Sequence, residues 1–153
     1  MKISINLEEG ALELMSKGDL EEPVIMLNLL KYLDKAKTGF GVDGLTGREA
    51  YKVYGKKFAK FQPIYGGEPI WMGRVHNSII GTDDWDITIL VRYPKRQNFI
   101  NMFNAPEYKA IAPIRAAALK DSRIIEMTEL LHKHVGWCDI IYWPYRFDYK
   151  RLK

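Results

Sequence analysis

The stretch Trp85-Asp86-Ile87-Thr88-Ile89-Leu90-Val91-Arg92-Tyr93-Pro94 constrains the fold more than any other. Ile87, Ile89, Val91 and Tyr93 fall on one side of a two-residue period, and Asp86, Thr88, Leu90 and Arg92 on the other. That alternation predicts a β-strand with one apolar face, and Pro94 ends its pairing because it has no N–H to donate. Trp85, Leu90 and Tyr93 make the strand look covered on both sides, so Asp86 and Arg92 are expected to face an enclosed cavity.

Partners for this strand can be found in both directions. Pro23 opens Val24-Ile25-Met26-Leu27-Asn28-Leu29-Leu30-Lys31-Tyr32, a nearly unbroken apolar run typical of a strand buried on both faces. Asn28 is the exception in it: a buried amide needs partners for both its carbonyl and its NH₂ group, so it either ties down backbone or faces a ligand. Residues 68–80 alternate as a second strand, with Ile70, Met72, Arg74, His76, Ser78 and Ile80 on one side. Gly81-Thr82-Asp83-Asp84 then reads as a hairpin turn into the 85–94 strand. Residues 123–131 supply a fourth strand.

The intervening segments carry helical signals. Thr46 and Glu49 form a capping box, followed by Tyr51, Tyr54, Phe58 and Phe61 down one face and Lys52, Lys56 and Lys60 down another. Pro63 and Gly66-Gly67 end that helix. After Pro94, Phe99, Met102 and Phe103 recur at helical spacing, Pro106 restarts the helix, Pro113 kinks it, and the helical region closes at Leu119. Leu7, Ala11, Leu14 and Met15 predict a short amphipathic helix over residues 6–17, with Asn6 and Glu9 as its capping pair. Residues 33–47 lack apolar periodicity and read as a surface loop.

The order strand, helix, strand, strand, helix, strand predicts an α+β, ferredoxin-like βαββαβ fold with both helices on one face of a four-stranded antiparallel sheet. The first and third strands are central. Ile25, Leu27 and Leu29 are expected to face the helices beside Ile87, Ile89 and Val91, leaving Asn28, Asp86, Thr88 and Arg92 on the open face with Met26, Leu30, Met72 and Ile80. Such an apolar patch calls for a cover, and a second copy of the chain is the simplest one.

At 153 residues and 47% hydrophobic content, the chain supports one sizeable core, so a single domain is expected, with its core over residues 23–131 and extensions at 1–22 and 132–153. The excess of 23 Lys and Arg over 19 Asp and Glu gives a charge of +4, too little to point to nucleic acid as a partner. Cys138 is the single cysteine, which excludes an internal disulfide. The N-terminus lacks the continuous apolar core of a signal peptide, and no stretch approaches the roughly 18 uncharged apolar residues of a membrane span, so a cytoplasmic location is expected.

Several motifs together resemble a known family. They are Leu27-Asn28-Leu29-Leu30-Lys31, Gly47-Arg48-Glu49-Ala50-Tyr51, Gly66-Gly67, Trp85-Asp86 with Arg92-Tyr93-Pro94, Pro106-Glu107-Tyr108, and Arg115 followed by Ala117-Ala118-Leu119. This set is similar to domain of unknown function 1330, within the dimeric α/β-barrel group. The resemblance implies a ferredoxin-like fold whose sheets pair in a homodimer, and it brings no settled activity. Beyond its reach, the tail carries Trp137, Tyr142, Trp143, Tyr145, Phe147 and Tyr149, dense enough in aromatics to predict an ordered arm packed on its own or the partner subunit.

For chemistry, Asn28, Arg74, His76, Asp86 and Arg92 share the predicted cavity face, with Tyr51, Tyr108 and Arg115 near its mouth. His76 or Asp86 is the candidate general base, and Arg74 or Arg92 the candidate clamp for a carboxylate or enolate. Asp86 and Arg92 stand six positions apart on one strand, about 20 Å end to end, so Arg92 needs another partner or a ligand anion. The alternative is purely structural, with these charges satisfied by ion pairs. His132 and His134 lie near Glu129 without a third ligand at suitable spacing, so no metal is expected. No phosphate loop, nucleophile elbow or dinucleotide fingerprint is present, and no cofactor is expected. Two function classes follow: an enzyme acting on a small anionic, carbonyl or aromatic compound in a barrel cavity, or a non-catalytic binding or structural homodimer.

Overall fold

Alternation in the 85–94 stretch produces strand β3 (Ile87–Tyr93), which pairs antiparallel with β1 (Val24–Tyr32) in the computed structural model, whose described residues are 4–130. Two further strands, β2 (Glu68–Arg74) and β4 (Leu119–Met127), complete a sheet in the order β2-β3-β1-β4. Every pairing is antiparallel, and β1 and β3 are central as the sequence implied. The fold is the ferredoxin-like split βαβ arrangement.

Helix α2 (Gly47–Phe58) begins at the predicted capping box: Glu49 N donates to Thr46 Oγ1 at 3.3 Å and Thr46 N donates to Glu49 Oε2 at 2.9 Å. Gly47 is required there for space, because a Cβ would lie 2.4 Å from the carbonyl oxygens of both Leu33 and Ala118. Helices α3 (Arg96–Asn104) and α4 (Pro106–Ala118) follow β3, and α4 runs through Pro113 unbroken. β4 begins at Leu119, directly behind the helix, rather than at residue 123.

The helices cover one sheet face, and the parity of β1 on that face is opposite to the sequence expectation. Val24, Met26 and Leu30 face the helices with Ile87, Ile89, Val91 and Tyr93, and the register places Asn28 opposite Ile89 on the same side. Ile25, Leu27 and Leu29 therefore lie on the open face with Thr88, Leu90 and Arg92. Leu30 is completely buried and Met26 nearly so, each contributing about 1.5–3 kcal/mol of transfer free energy.

Three other expectations are corrected. Strand β2 stops at Arg74, and residues 75–86 form a loop in place of a continued strand and tight hairpin, with Ile79 and Ile80 almost fully exposed. The 33–46 segment buries Ala36 and Val42 against Leu30 and Leu119, so it is part of the core. Helix α1 spans only Ala11–Ser16, behind a left-handed Gly10; Asn6 and Glu9 do not cap it. Ahead of that helix, the chain runs beside β4: Ser122 N donates to Ser4 O at 2.8 Å, and Ser4 N to Asp121 Oδ1 at 2.9 Å. This covers backbone groups that an edge strand leaves unpaired. The aromatic tail and the His132/His134 pair lie outside the described residues.

Candidate functional site

The aromatic face of α2 explains where the polar residues converge. Tyr51, Tyr54 and Phe58 pack ring to ring at 5.2 and 5.6 Å, and Phe58 meets Tyr108 of α4 at 6.2 Å. Rings this large hold the helices off the sheet, leaving a cavity of about 160 Å³ lined by these residues together with Asn28, Gln62, Phe103 and Arg115. Four of the sequence candidates, Asn28, Tyr51, Tyr108 and Arg115, thus share one wall system on the helix-covered face. A second cavity of about 440 Å³ lies beside it, bordered by the N-terminal residues Ser4 to Glu8, and shares Phe103, Tyr108, Arg115 and Ile124 as common lining.

Arg115 stands between the two. It is 6% exposed; Nη1 donates to Ile5 O at 2.8 Å, Nη2 donates to Ser122 Oγ at 3.1 Å, and the Tyr51 phenol lies beside the guanidinium. All of these acceptors are formally neutral, so among the described residues this buried cation has no carboxylate partner. A charge so placed is costly unless an anion joins it. Burial pushes the Tyr51 phenol up, with the charge of Arg115 pulling the other way. Burial likewise raises Tyr108, beside Tyr54, and raises Tyr54 well above the ordinary phenol value. These tyrosines are therefore neutral hydroxyls at physiological pH rather than bases.

Asn28 uses its Nδ2 to donate to Met26 O at 3.1 Å, while its Oδ1 has no protein donor among the described residues. Gln62, which the sequence did not single out, is 7% exposed, and among the described residues its Nε2 has no hydrogen-bond partner. Its only sequence signal was a polar residue directly behind an aromatic face, in the single turn Gln62–Tyr65.

The other candidates are elsewhere. Asp86 is held structurally: Oδ2 accepts from Tyr32 N at 2.7 Å and Oδ1 from Lys31 Nζ at 3.2 Å. His76 lies in the 75–86 loop and is exposed, not on a strand facing Asp86. Arg74 borders a separate cleft with Lys31, Arg48 and Asp86 at the end of the sheet. Arg92 on the open face donates through Nη2 to both oxygens of Glu129, at 3.0 and 3.1 Å, which removes the reason for giving it a ligand anion. Among the described residues, no acidic or histidine side chain lines the inner cavity, and no three His, Cys, Asp or Glu cluster as a metal site. No helix among them is long and apolar enough to cross a membrane.

Comparison with known proteins agrees with the topology. A protein of unknown function from Rhodopseudomonas palustris superposes with a TM-score of 0.78 at 29% identity, covering 86% of this chain and all of that one (100%). A methylated form of the same protein gives 0.78 at 30% identity over 86% and 98% of the two chains. The hydroxynitrile lyase of Passiflora edulis shares the fold, with a TM-score of 0.52 at 12% identity over 76% and 99%. No curated protein matches the chain. The model for "Domain of unknown function (DUF1330)" matches residues 42–128, which contain α2, the Gln62 turn, α4 and all strands except β1. Since that match spans more than half of the chain and takes in Tyr51, Gln62, Tyr108 and Arg115, the protein belongs to the DUF1330 family.

Proposed function

We propose that the protein is a homodimer of α/β-barrel type that binds a small anionic compound, carrying carbonyl or aromatic character, between the helices and sheet of each protomer. The observation that carries this reading is Arg115, a buried guanidinium whose described partners are all neutral. A carboxylate meets such a fork through paired hydrogen bonds, and the low-dielectric surroundings strengthen the attraction. Tyr51 and Tyr108 supply neutral hydroxyls, and Asn28 supplies a carbonyl oxygen. Binding is favoured over acid–base catalysis because neither His76 nor Asp86 lines the cavity and the buried tyrosines hold their protons.

The dimer is supported by the open face. Ile25, Leu27, Leu29, Leu90 and Ile125 make it apolar, and its charged Arg92 and Arg123 are paired within the chain to Glu129 and Asp121. An apolar surface whose arginines are already paired suits a second copy of itself better than a charged partner. Light scattering at micromolar concentration should return a mass of two chains; one chain would contradict the dimer. For the ligand, acetate, pyruvate and benzoate are compared with neutral benzamide by thermal shift. At least one carboxylate should raise the melting temperature of wild type and not of Arg115→Met. Equal shifts in both proteins would remove the basis of the reading.

A further inference from the structure

We infer that the inner cavity takes a single-ring aromatic hydroxy acid, with Arg115 holding the carboxylate and Gln62 selecting the ring hydroxyl. The inference rests on the anion-binding reading above and adds the ligand's body and its second polar group. Size sets the first limit: an engineered apolar cavity of about 150 Å³ accepts one benzene-sized ring, this cavity measures about 160 Å³, and a carboxylate at Arg115 extends into the adjoining cavity, which Arg115 also lines. Its walls suit a ring. Phe103 and Tyr108 approach to 4.5 Å between centroids at 42°, beside the Tyr51-Tyr54-Phe58 series, and tilted aromatic neighbours favour a planar aromatic guest.

Gln62 provides the independent observation. Buried polar atoms are nearly always hydrogen-bonded, yet Nε2 is not. The Tyr93 phenol lies beside the amide without giving Nε2 a bond of hydrogen-bonding geometry. The left-handed Gly66 ends the turn, and Gly67 leaves room for the Gln62 side chain, since a Cβ there would lie 2.9 Å from Nε2 and 3.0 Å from Cγ. Among the described residues, a buried unsatisfied donor at Gln62 and an acceptor without a protein donor at Asn28 Oδ1 thus line the same cavity as the carboxylate-free Arg115. A hydroxyl is the smallest substituent that can accept from the first and donate to the second.

Isothermal titration of the full chain with benzoate, the three hydroxybenzoate isomers, cyclohexanecarboxylate and acetate tests this. One hydroxybenzoate isomer should bind wild type about tenfold more tightly than benzoate, the value of one added hydrogen bond. Gln62→Met should erase that preference, so that the isomer and benzoate bind alike. It should also fold with a melting temperature no lower than wild type, because an unsatisfied amide has been replaced by an apolar chain of similar length. Should it not fold, Gln62→Leu gives the same readout. Equal binding of acetate and benzoate, or a hydroxyl preference that survives at either Gln62 variant, overturns the inference and leaves the Arg115 site standing. Carboxylate binding retained in Arg115→Met, or none in wild type, overturns both.

Discussion

The two faces of the sheet solve opposite problems with similar residues. On the covered face, polar groups sit among aromatic rings, and three of them, Arg115, Asn28 and Gln62, keep hydrogen-bonding capacity that the described chain does not fill. On the open face both arginines are matched, Arg92 with Glu129 and Arg123 with Asp121, and Arg123 also lies 5.3 Å over the Trp85 ring. What remains there to be satisfied is apolar area. Under the proposed function, the contrast assigns a ligand to the space between helices and sheet, and a second copy of the chain to the other side.

The largest effect that can break this comparison comes from two leucines of one strand. Leu30→Asp puts an unpaired carboxylate at a completely buried position, a cost of several kcal/mol against a typical domain stability of about 5–15 kcal/mol. It should abolish the folded circular dichroism signal. Leu27→Asp, one face away, should leave each protomer folded and reduce the light-scattering mass to one chain. If both variants behave alike, the faces have been assigned wrongly.

Alkaline titration probes the covered face next. Burial raises the phenols of Tyr51, Tyr54, Tyr93 and Tyr108, and that of Tyr32 to about 12 from an ordinary 10.0. A folded-state pKa above the unfolded value means that the folded chain holds its protons longer. The stabilisation is then complete below pH 10 and lost as the pH climbs through the folded values. Tyrosinate absorbance from these buried phenols should therefore rise only above pH 10, together with cooperative unfolding. A single smooth titration centred near pH 10 without loss of structure would contradict the burial.

The smallest effect belongs to the open face. Arg92→Met removes an ion pair whose side chains are 28% and 32% exposed, so it should cost no more than about 1 kcal/mol by denaturant unfolding. Carboxylate binding should be untouched. Weakened binding in this variant would move the ligand to the open face.

Legibility in the sequence followed how many physical signals agreed at each position. β3 was readable because its alternation, Pro94 and flanking polar residues concur, and α2 because Thr46 and Glu49 cap an unambiguous aromatic stripe. β1 was recognisable as a strand but not in its parity: apolar residues occupy both sides of the run, and reading Asn28 as outward reversed every neighbour. Lys31, the one charged residue of that run, shares parity with Ile25, Leu27 and Leu29 and marks them as the uncovered set. The start of β4 was hidden because Ala116-Ala117-Ala118 passes into Leu119 with no loop residue between helix and strand. His76 was placed on a strand by continuing an alternation that the loop interrupts, and this took the proposed base away from the site. Of the site, Asn28, Tyr51, Tyr108 and Arg115 were nameable from residue type. Gln62 was not, since only the folded chain reveals that its amide is buried without a partner.

The most direct test follows the guanidinium Nε–H resonances of Arg115 and Arg92 by NMR while wild-type protein is titrated with hydroxybenzoate. The site between helices and sheet predicts a saturable shift of the Arg115 signal with Arg92 unmoved. A shift confined to Arg92, with Arg115 silent at saturation, would contradict it.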